Sequence, residues 1–457
     1  MPRIQELGPD FYDVVSAARF PQHTLRYRND RAAAAVGLDT LTDAEWIRHF
    51  GSFEPLICNQ HEPLALRYHG HQFGVYNPEL GDGRGFLFAQ LKEDGRLLDL
   101  GTKGSGKTPW SRGADGRLTL KGGVREVLAT AMLEARGVST CRSFSLIETG
   151  ERLQRGDEPS PTRSSVLVRL SHSHIRFGTF QRLSHLGERS AMKRLLEYVV
   201  RHYMPELASA PDLPFAFLEE VSRRSAALVA SWMVAGFVHG VLNTDNMNVT
   251  GESFDYGPYR FLPAFNADFV AAYFDQTGLY AYGRQPSAVL WSVSRLAEAL
   301  RLLAPEADFV PVLHGFEAAY RRAIGEQLRR RLGVESRGDD DDAALANLCF
   351  EFMDESKVGF DQFFFDWHGG PASAARAMAG PARDQYVVPA FLPVQRALGE
   401  RAPTTPAVLA LTYFQQARPE TLLIDEIEAI WARIAEADDW SAFEEKIARI
   451  SAIPTAC

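Results

Sequence analysis

The stretch H-G-V-L-N-T-D-N, His239 to Asn246, with D-Y-G at 255–257 after it, decides how this 457-residue chain is read. His239 and Asn246 stand seven apart, and Asp255 follows Asn246 by nine. An apolar run, S-R-R-S-A-A-L-V-A-S-W-M-V-A-G-F at 222–237, opens on a serine cap and predicts a buried helix leading straight into His239. Alone, N-T-D-N reads as a turn, since Asn and Asp side chains close turns on their own backbone. Between His239 and D-Y-G it reads instead as the source of a hard oxygen ligand, Asn246, paired with Asp255 for a magnesium-type cation.

The spacing is that of the kinase catalytic loop H-R-D-L-x-x-x-N followed by a metal-binding Asp-aromatic-Gly, with Leu242 also in register. Val241 occupies the position of the catalytic aspartate. A chain that keeps the magnesium ligands and loses the base either does no chemistry or does different chemistry, and Asp245 is the residue that can replace the base.

Upstream, the pieces fall in kinase order. L-G-D-G-R-G at 80–85 leads into the apolar strand F-L-F-A-Q-L-K, a hairpin signal E-D-G, and the partner strand R-L-L-D-L-G-T-K ending at Lys103. Val124, Val127, Leu128, Ala131 and Ala135 form a helical stripe over 122–136, closed by Gly137. Glu126 on that helix is placed to pair with Lys103 and hold it toward nucleotide phosphates. A further strand, S-V-L-V-R-L-S, carries Arg169 among apolar residues, and Arg176 follows in H-S-H-I-R-F-G. Such arginines need partners: an acidic side chain, or a nucleotide phosphate gripped in bidentate fashion.

G-T-K-G-S-G-K-T at 101–108 matches the P-loop pattern with Lys107 as its lysine. A P-loop threonine must open a helix, whereas Pro109 biases Thr108 away from helical dihedrals, so Lys103 is preferred as the phosphate ligand. Cys58, His61, His69 and His71 are spaced too irregularly for a zinc site. His172 and His174 read as packing or turn residues.

With 46% apolar residues the chain can bury a large core in two or three lobes. A net charge of −9 argues against a nucleic-acid partner. The absence of an apolar run near the ~18 residues of a span, and of a signal-peptide layout, predicts a cytoplasmic protein with no membrane partner. Four scattered cysteines, Cys58, Cys141, Cys349 and Cys457, suggest reduced thiols. Beyond about residue 190 the pattern turns helical, as in F-E-A-A-Y-R-R-A-I-G-E-Q-L-R-R-R-L at 316–332, and the acidic run Asp339–Asp342 reads as a solvated linker.

Over residues 25 to 300 the chain resembles the selenoprotein O family of kinase-like protein nucleotidyltransferases. The blocks are G-H-Q-F-G (70–74), L-G-D-G-R-G (80–85), K-G-S-G with T-P-W-S-R (103–112), D-G-R (115–117), R-E (125–126), L-V-R with H-I-R-F-G (167–178), H-G-V-L-N-T-D-N-M (239–247) and F-D-Y-G-P (254–258). The resemblance implies an α+β, protein-kinase-like fold with two lobes, a small strand-rich N-lobe (66–185) and a larger, mainly helical C-lobe (186–335), with extensions at 1–65 and 343–457. It implies ATP bound in reverse, so that AMP passes to Ser, Thr or Tyr hydroxyls of protein substrates with Mg²⁺ or Mn²⁺ present. Carried onto this sequence, Gly81, Gly83, Arg84, Asp115 and Gly116 line the nucleotide site, and Lys103, held by Glu126, contacts phosphates. Arg169 and Arg176 hold the terminal phosphate, Asn246 and Asp255 the metal, and Asp245 accepts the proton. The chain departs from the family at Lys107, in lacking a cysteine after D-Y-G, and in its tail ending A-C. Disulfide control is therefore not expected, and Cys457 is left as a candidate reactive thiol. A kinase-type phosphotransferase and a silent ATP-binding scaffold are the alternative functions.

Overall fold

The computed structural model describes residues 3–454, so Cys457 lies outside the described residues. It is a mixed α+β structure. In chain order the strands are β1 (Tyr12–Val14), β2 (Thr24–Arg28), β3 (Leu64–Leu66), β4 (Gly70–Gln72), β5 (Val75–Asn77), β6 (Leu87–Glu93), β7 (Arg96–Lys103), β8 (Leu118–Thr119), β9 (Arg142–Leu153), β10 (Thr162–Ser171), β11 (Phe237–Val238) and β12 (Arg260–Phe261). The helices used below are α1 (Asp30–Ala35), α2 (Asp43–Phe50), α3 (Leu120–Ala135), α4 (Phe177–Leu186), α5 (Arg189–Tyr203), α6 (Leu213–Ala235), α7 (Gln285–Leu300), α8 (Val310–Leu332) and α9 (Asp339–Ser356).

Seven strands run antiparallel in the order β1-β3-β6-β7-β10-β9-β2, with β8 paired to β10. The hairpin of β6 and β7 turns on Asp94 and Gly95, both at positive φ (48° and 84°), the pairing that matches the twist of the flanking strands. Strand alternation divides the sheet's side chains between two cores. Phe86, Phe88, Leu98, Leu100, Val166, Val168 and Leu170 point one way, onto Trp46 and Phe50 of α2. Leu87, Leu97 and Leu167 point the other way, onto the core that includes Val124, Val127 and Leu128 of α3. Each such buried aliphatic or aromatic side chain contributes on the order of 2 kcal/mol. Leu167 lies opposite Lys103 in the β7–β10 register, so Lys103 and Arg169 share the α3 face of the sheet.

Helix α6 is longer than the apolar run at 222–237 suggests. Its cap is Asp212, whose side chain accepts from the Phe215 amide, and Ser222 is buried inside it. It ends at Gly236, left-handed at φ 64°, where a Cβ would meet the Phe360 ring at 2.7 Å. The chain then turns through β11 directly to His239. The acidic run at 339–342 is no linker: it forms the first turn of α9. Carboxylates there oppose the positive end of the helix dipole, and Asp342 is buried, accepting from Ser336 Oγ (2.7 Å) and pairing with Arg401. Among the described residues no helix is long and apolar enough to cross a membrane.

Candidate active site

A cleft of about 420 Å³ opens where the α3 face of the sheet meets the loops after β11, and it gathers nine of the twelve residues singled out in the sequence. Gly81, Gly83, Arg84, Lys103, Arg169, Arg176, Asp245, Asn246 and Asp255 line it. Glu126 lies behind Lys103, 1% exposed. Asp115 and Gly116 do not line it. Asp115 pairs with Arg155 (2.8 Å) and accepts from the Arg117 amide, and Gly116 accepts from the Gly106 amide at 3.2 Å, so both shape the 104–117 loop.

Four charges alternate at the cleft floor. Lys103 Nζ is bonded to Glu126 and lies 2.5 Å from Asp255 Oδ1. Arg169 Nη1 stands 3.3 Å from the same Asp255 oxygen and 3.9 Å from Glu126 Oε2. Two cations thus balance two carboxylates, the condition under which buried charges are tolerated. Burial alone would raise the Asp255 carboxyl, but Lys103, Arg169, Arg176 and Arg84 outweigh it and hold it well below the usual carboxylate range. Asp255 takes a left-handed backbone at φ 68°, which costs on the order of 1–2 kcal/mol and aims its carboxylate at Lys103. The register of α3 against it is fixed by Arg125, whose guanidinium lies 4.7 Å from the Tyr259 ring centre and donates to the carbonyls of Gly257 and Tyr259.

His239 is buried, and its Nε2 faces the Phe254 carbonyl at 3.1 Å. A carbonyl only accepts, so this nitrogen carries the proton, and burial lowers the imidazole's pKa and keeps it neutral. The residue therefore ties the 239–246 loop to the backbone just before Asp255 and touches no reacting group. Asn246 Nδ2 donates to Asp255 Oδ2 at 3.3 Å, and no hydrogen bond occupies Asn246 Oδ1 among the described residues. That leaves two adjacent hard oxygen donors, a set that fits a magnesium-type ion completed by phosphates and water.

Asp245 sits on the 3-10 turn Thr244–Asn246 and is 9% exposed, and its Oδ1 has no hydrogen-bond partner among the described residues. Burial pushes its pKa up to about 6 against the opposing pull of Arg176, and Asp255 raises it further. Arg176 donates Nη1 to the Asp245 carbonyl (2.8 Å) and Nη2 to Asp82 (3.3 Å), with its guanidinium 4.3 Å from the Tyr68 ring centre. Arg169 and Arg176 both have acidic neighbours here, and both still face the cleft.

Some contributors lie in blocks that marked the resemblance, yet the sequence reading gave them no role. The β4–β5 hairpin, from the G-H-Q-F-G block, holds the Asp245 turn: the His71 amide donates to Thr244 Oγ1 (2.7 Å) and the Phe73 amide to Asn243 Oδ1 (3.1 Å). Asp82 hides inside the glycine-rich loop as the Arg176 partner. Trp110 covers that loop, so a Cβ on Gly81 would stand 2.3 Å from the indole. The P-loop reading fails as expected, because 104–117 contains no helix and Lys107 is exposed outside the cleft.

The family model described as protein adenylyltransferase SelO matches residues 1–451. A protein nucleotidyltransferase YdiU of Trichormus variabilis is 45% identical, covering 98% of this chain and 95% of its own. Proteins of the same name from Synechocystis sp. (43% identical, 98% and 97% covered) and Gloeobacter violaceus (44%, 98% and 94%) match over the same span. With a family model spanning nearly every residue and relatives this similar end to end, the chain belongs to the SelO family of protein adenylyltransferases.

Proposed function

We propose that this enzyme transfers AMP from ATP to Ser, Thr or Tyr hydroxyls of target proteins in the cytoplasm, with the nucleotide reversed in a kinase-like cleft and Asp245 as general base. Residues 66–185 and 186–335 are read as the two lobes of that fold, with 1–65 and 343–457 as extensions. The observation that carries this reading is the Asp245 carboxylate: buried, with one oxygen that has no partner among the described residues, and ionising at about 6, in a cleft where Val241 fills the place of the kinase base. A base with that ionisation is mostly deprotonated at neutral pH yet basic enough to take a hydroxyl proton as the bond forms.

The acceptor oxygen attacks the α-phosphorus, its proton passes to Asp245, and the bond to the pyrophosphate bridging oxygen breaks. Arg169, Arg176, Lys103 and Arg84 meet the charge that gathers on the leaving pyrophosphate. Lys103 is held for this by Glu126. Asn246 and Asp255 would hold Mg²⁺ or Mn²⁺, which when bound adds charge neutralisation on the phosphates. Gly81 and Gly83 let the 80–85 loop lie flat under Trp110, where its backbone can approach a phosphate.

Incubation of the enzyme and a protein extract with ATP labelled on the α- or the γ-phosphate tests the reading. Label is expected on protein from the α position only. Label from γ alone establishes kinase chemistry instead, and nucleotide binding with no labelled protein establishes a scaffold.

A further inference from the structure

Next to the cleft, three aromatic side chains are held out into solvent in a linked row. Phe73 is 39% exposed, Phe274 46% and Tyr273 83%. The Phe73 and Phe274 ring centres are 5.9 Å apart, and those of Phe274 and Tyr273 5.2 Å. Leu279, also exposed, precedes Tyr280, whose ring lies 5.1 Å from Phe73. A contiguous exposed apolar patch on a soluble surface marks an interaction site more often than scattered single residues do.

The row is built into the site. Phe73 adopts φ 50°, a left-handed backbone that is an outlier for a bulky residue. It is held there by Asn243, whose Oδ1 accepts both from the Phe73 amide (3.1 Å) and from the Tyr280 hydroxyl (2.8 Å). Asn243 lines the cleft two residues before Asp245. One side-chain oxygen therefore fixes the exposed aromatic and the turn bearing the proposed base together. Backbone strain retained at such a place points to a function for the exposed ring.

We propose that this aromatic row is the docking ledge for the acceptor polypeptide, seating an aromatic or aliphatic side chain that lies within a few residues of the hydroxyl to be modified. The inference rests on the proposed function of the cleft, whose acceptor is a protein and whose mouth the ledge adjoins. An apolar anchor suits the ledge because the exposed rings offer area and no charge, and such a contact is worth enough to discriminate target segments by an order of magnitude.

The test uses fluorescein-labelled nonapeptides with one central tyrosine among glycine and lysine residues, and the same peptides with a phenylalanine placed at each flanking position in turn. Binding to the full enzyme is read by anisotropy with a non-hydrolysable ATP analogue present, and AMP transfer is read separately. At least one phenylalanine position should tighten binding about tenfold over the parent. Phe274→Ser should remove that gain with affinity for the ATP analogue unchanged, and Phe274→Lys should move the preference to a peptide with glutamate at that position. No apolar preference, or a preference that survives both variants, overturns the ledge. So does a sedimentation shift from dimer to monomer in Phe274→Ser, which would assign the face to a second copy of the chain. Selective binding accompanied by γ-label transfer would sink the adenylyl-transfer reading and leave the ledge standing. AMP transfer without apolar preference would do the reverse.

Discussion

Replacing Asp245 with asparagine should stabilise the protein while disabling it. In the folded chain this carboxyl ionises at about 6 instead of 3.8, because burial outweighs the stabilising pull of Arg176. Between those values the folded state keeps a proton that the unfolded chain has lost, so stability falls as pH rises through that window and stays low above it. At roughly 1.4 kcal/mol per pH unit, the ionised carboxylate costs the fold about 3 kcal/mol at neutral pH. Asparagine fills the same volume with no charge to desolvate. Urea unfolding near pH 7.5, with EDTA present so that no cation bound at Asn246 contributes, should show Asp245→Asn to be more stable by about 2–3 kcal/mol. Near pH 4 the gain should shrink to about 0.5 kcal/mol, since the wild-type carboxyl is then protonated in the fold and only partly ionised in the unfolded chain. Transfer of AMP should fall about 10²- to 10⁴-fold, the usual range for removing a general base. A variant less stable than wild type near pH 7.5, or a gain equally large near pH 4, refutes the claim that Asp245 is held as a costly buried base. Retained activity moves the base elsewhere.

Asp255→Ala should abolish metal-dependent ATP binding, measured by calorimetry with and without Mg²⁺, and an unchanged metal-dependent affinity removes Asp255 from the site. Gly81→Ala forces a Cβ into the indole of Trp110, an overpacking cost of about 1–3 kcal/mol, and should lower both the thermal midpoint and ATP affinity. Pairing it with Trp110→Ala should recover part of the loss. Lys107→Ala, at an exposed position outside the cleft, should leave ATP affinity within about twofold, and a large drop would revive the P-loop reading.

What the sequence made legible was local or strictly periodic. Asp94-Gly95 declares its hairpin through the turn it permits, and the apolar stripe on α3 follows from 3.6-residue periodicity. The common face of Lys103 and Arg169 follows once the two strands are paired. What stayed hidden depends on partners far along the chain. Strand β9 begins with Arg142, which pairs with Glu93. Strands β1 and β2 are short pieces whose strand character comes from pairing with β3 and β9. Asp82 looks like a turn residue until Arg176 is brought beside it, and the β4–β5 hairpin reveals its role only against Thr244. Asp339–Asp342 misleads because a charge run looks solvated wherever it stands, whereas a helix start gives it a structural use.

The antiparallel pairing of β2 with β9, and the packing of the helices Ile424–Ala437 and Ser441–Ser451 on α3, also set the order in which the protein can be completed during synthesis. Residues 24–28 leave the ribosome more than a hundred residues before their partner strand does. The helix carrying Glu126 gains later packing partners, including the Lys121–Glu428 ion pair, only after residue 428 has emerged. A nascent chain can therefore form the β6–β7 hairpin and α3 early, while the helix that carries Glu126 waits about three hundred residues for the cover of Ile424–Ala437 and Ser441–Ser451. A chain cut before Ile424 would keep every residue of the cleft but lose the two helices that cover the Glu126 helix, and it is expected to be lost to proteolysis before it accumulates.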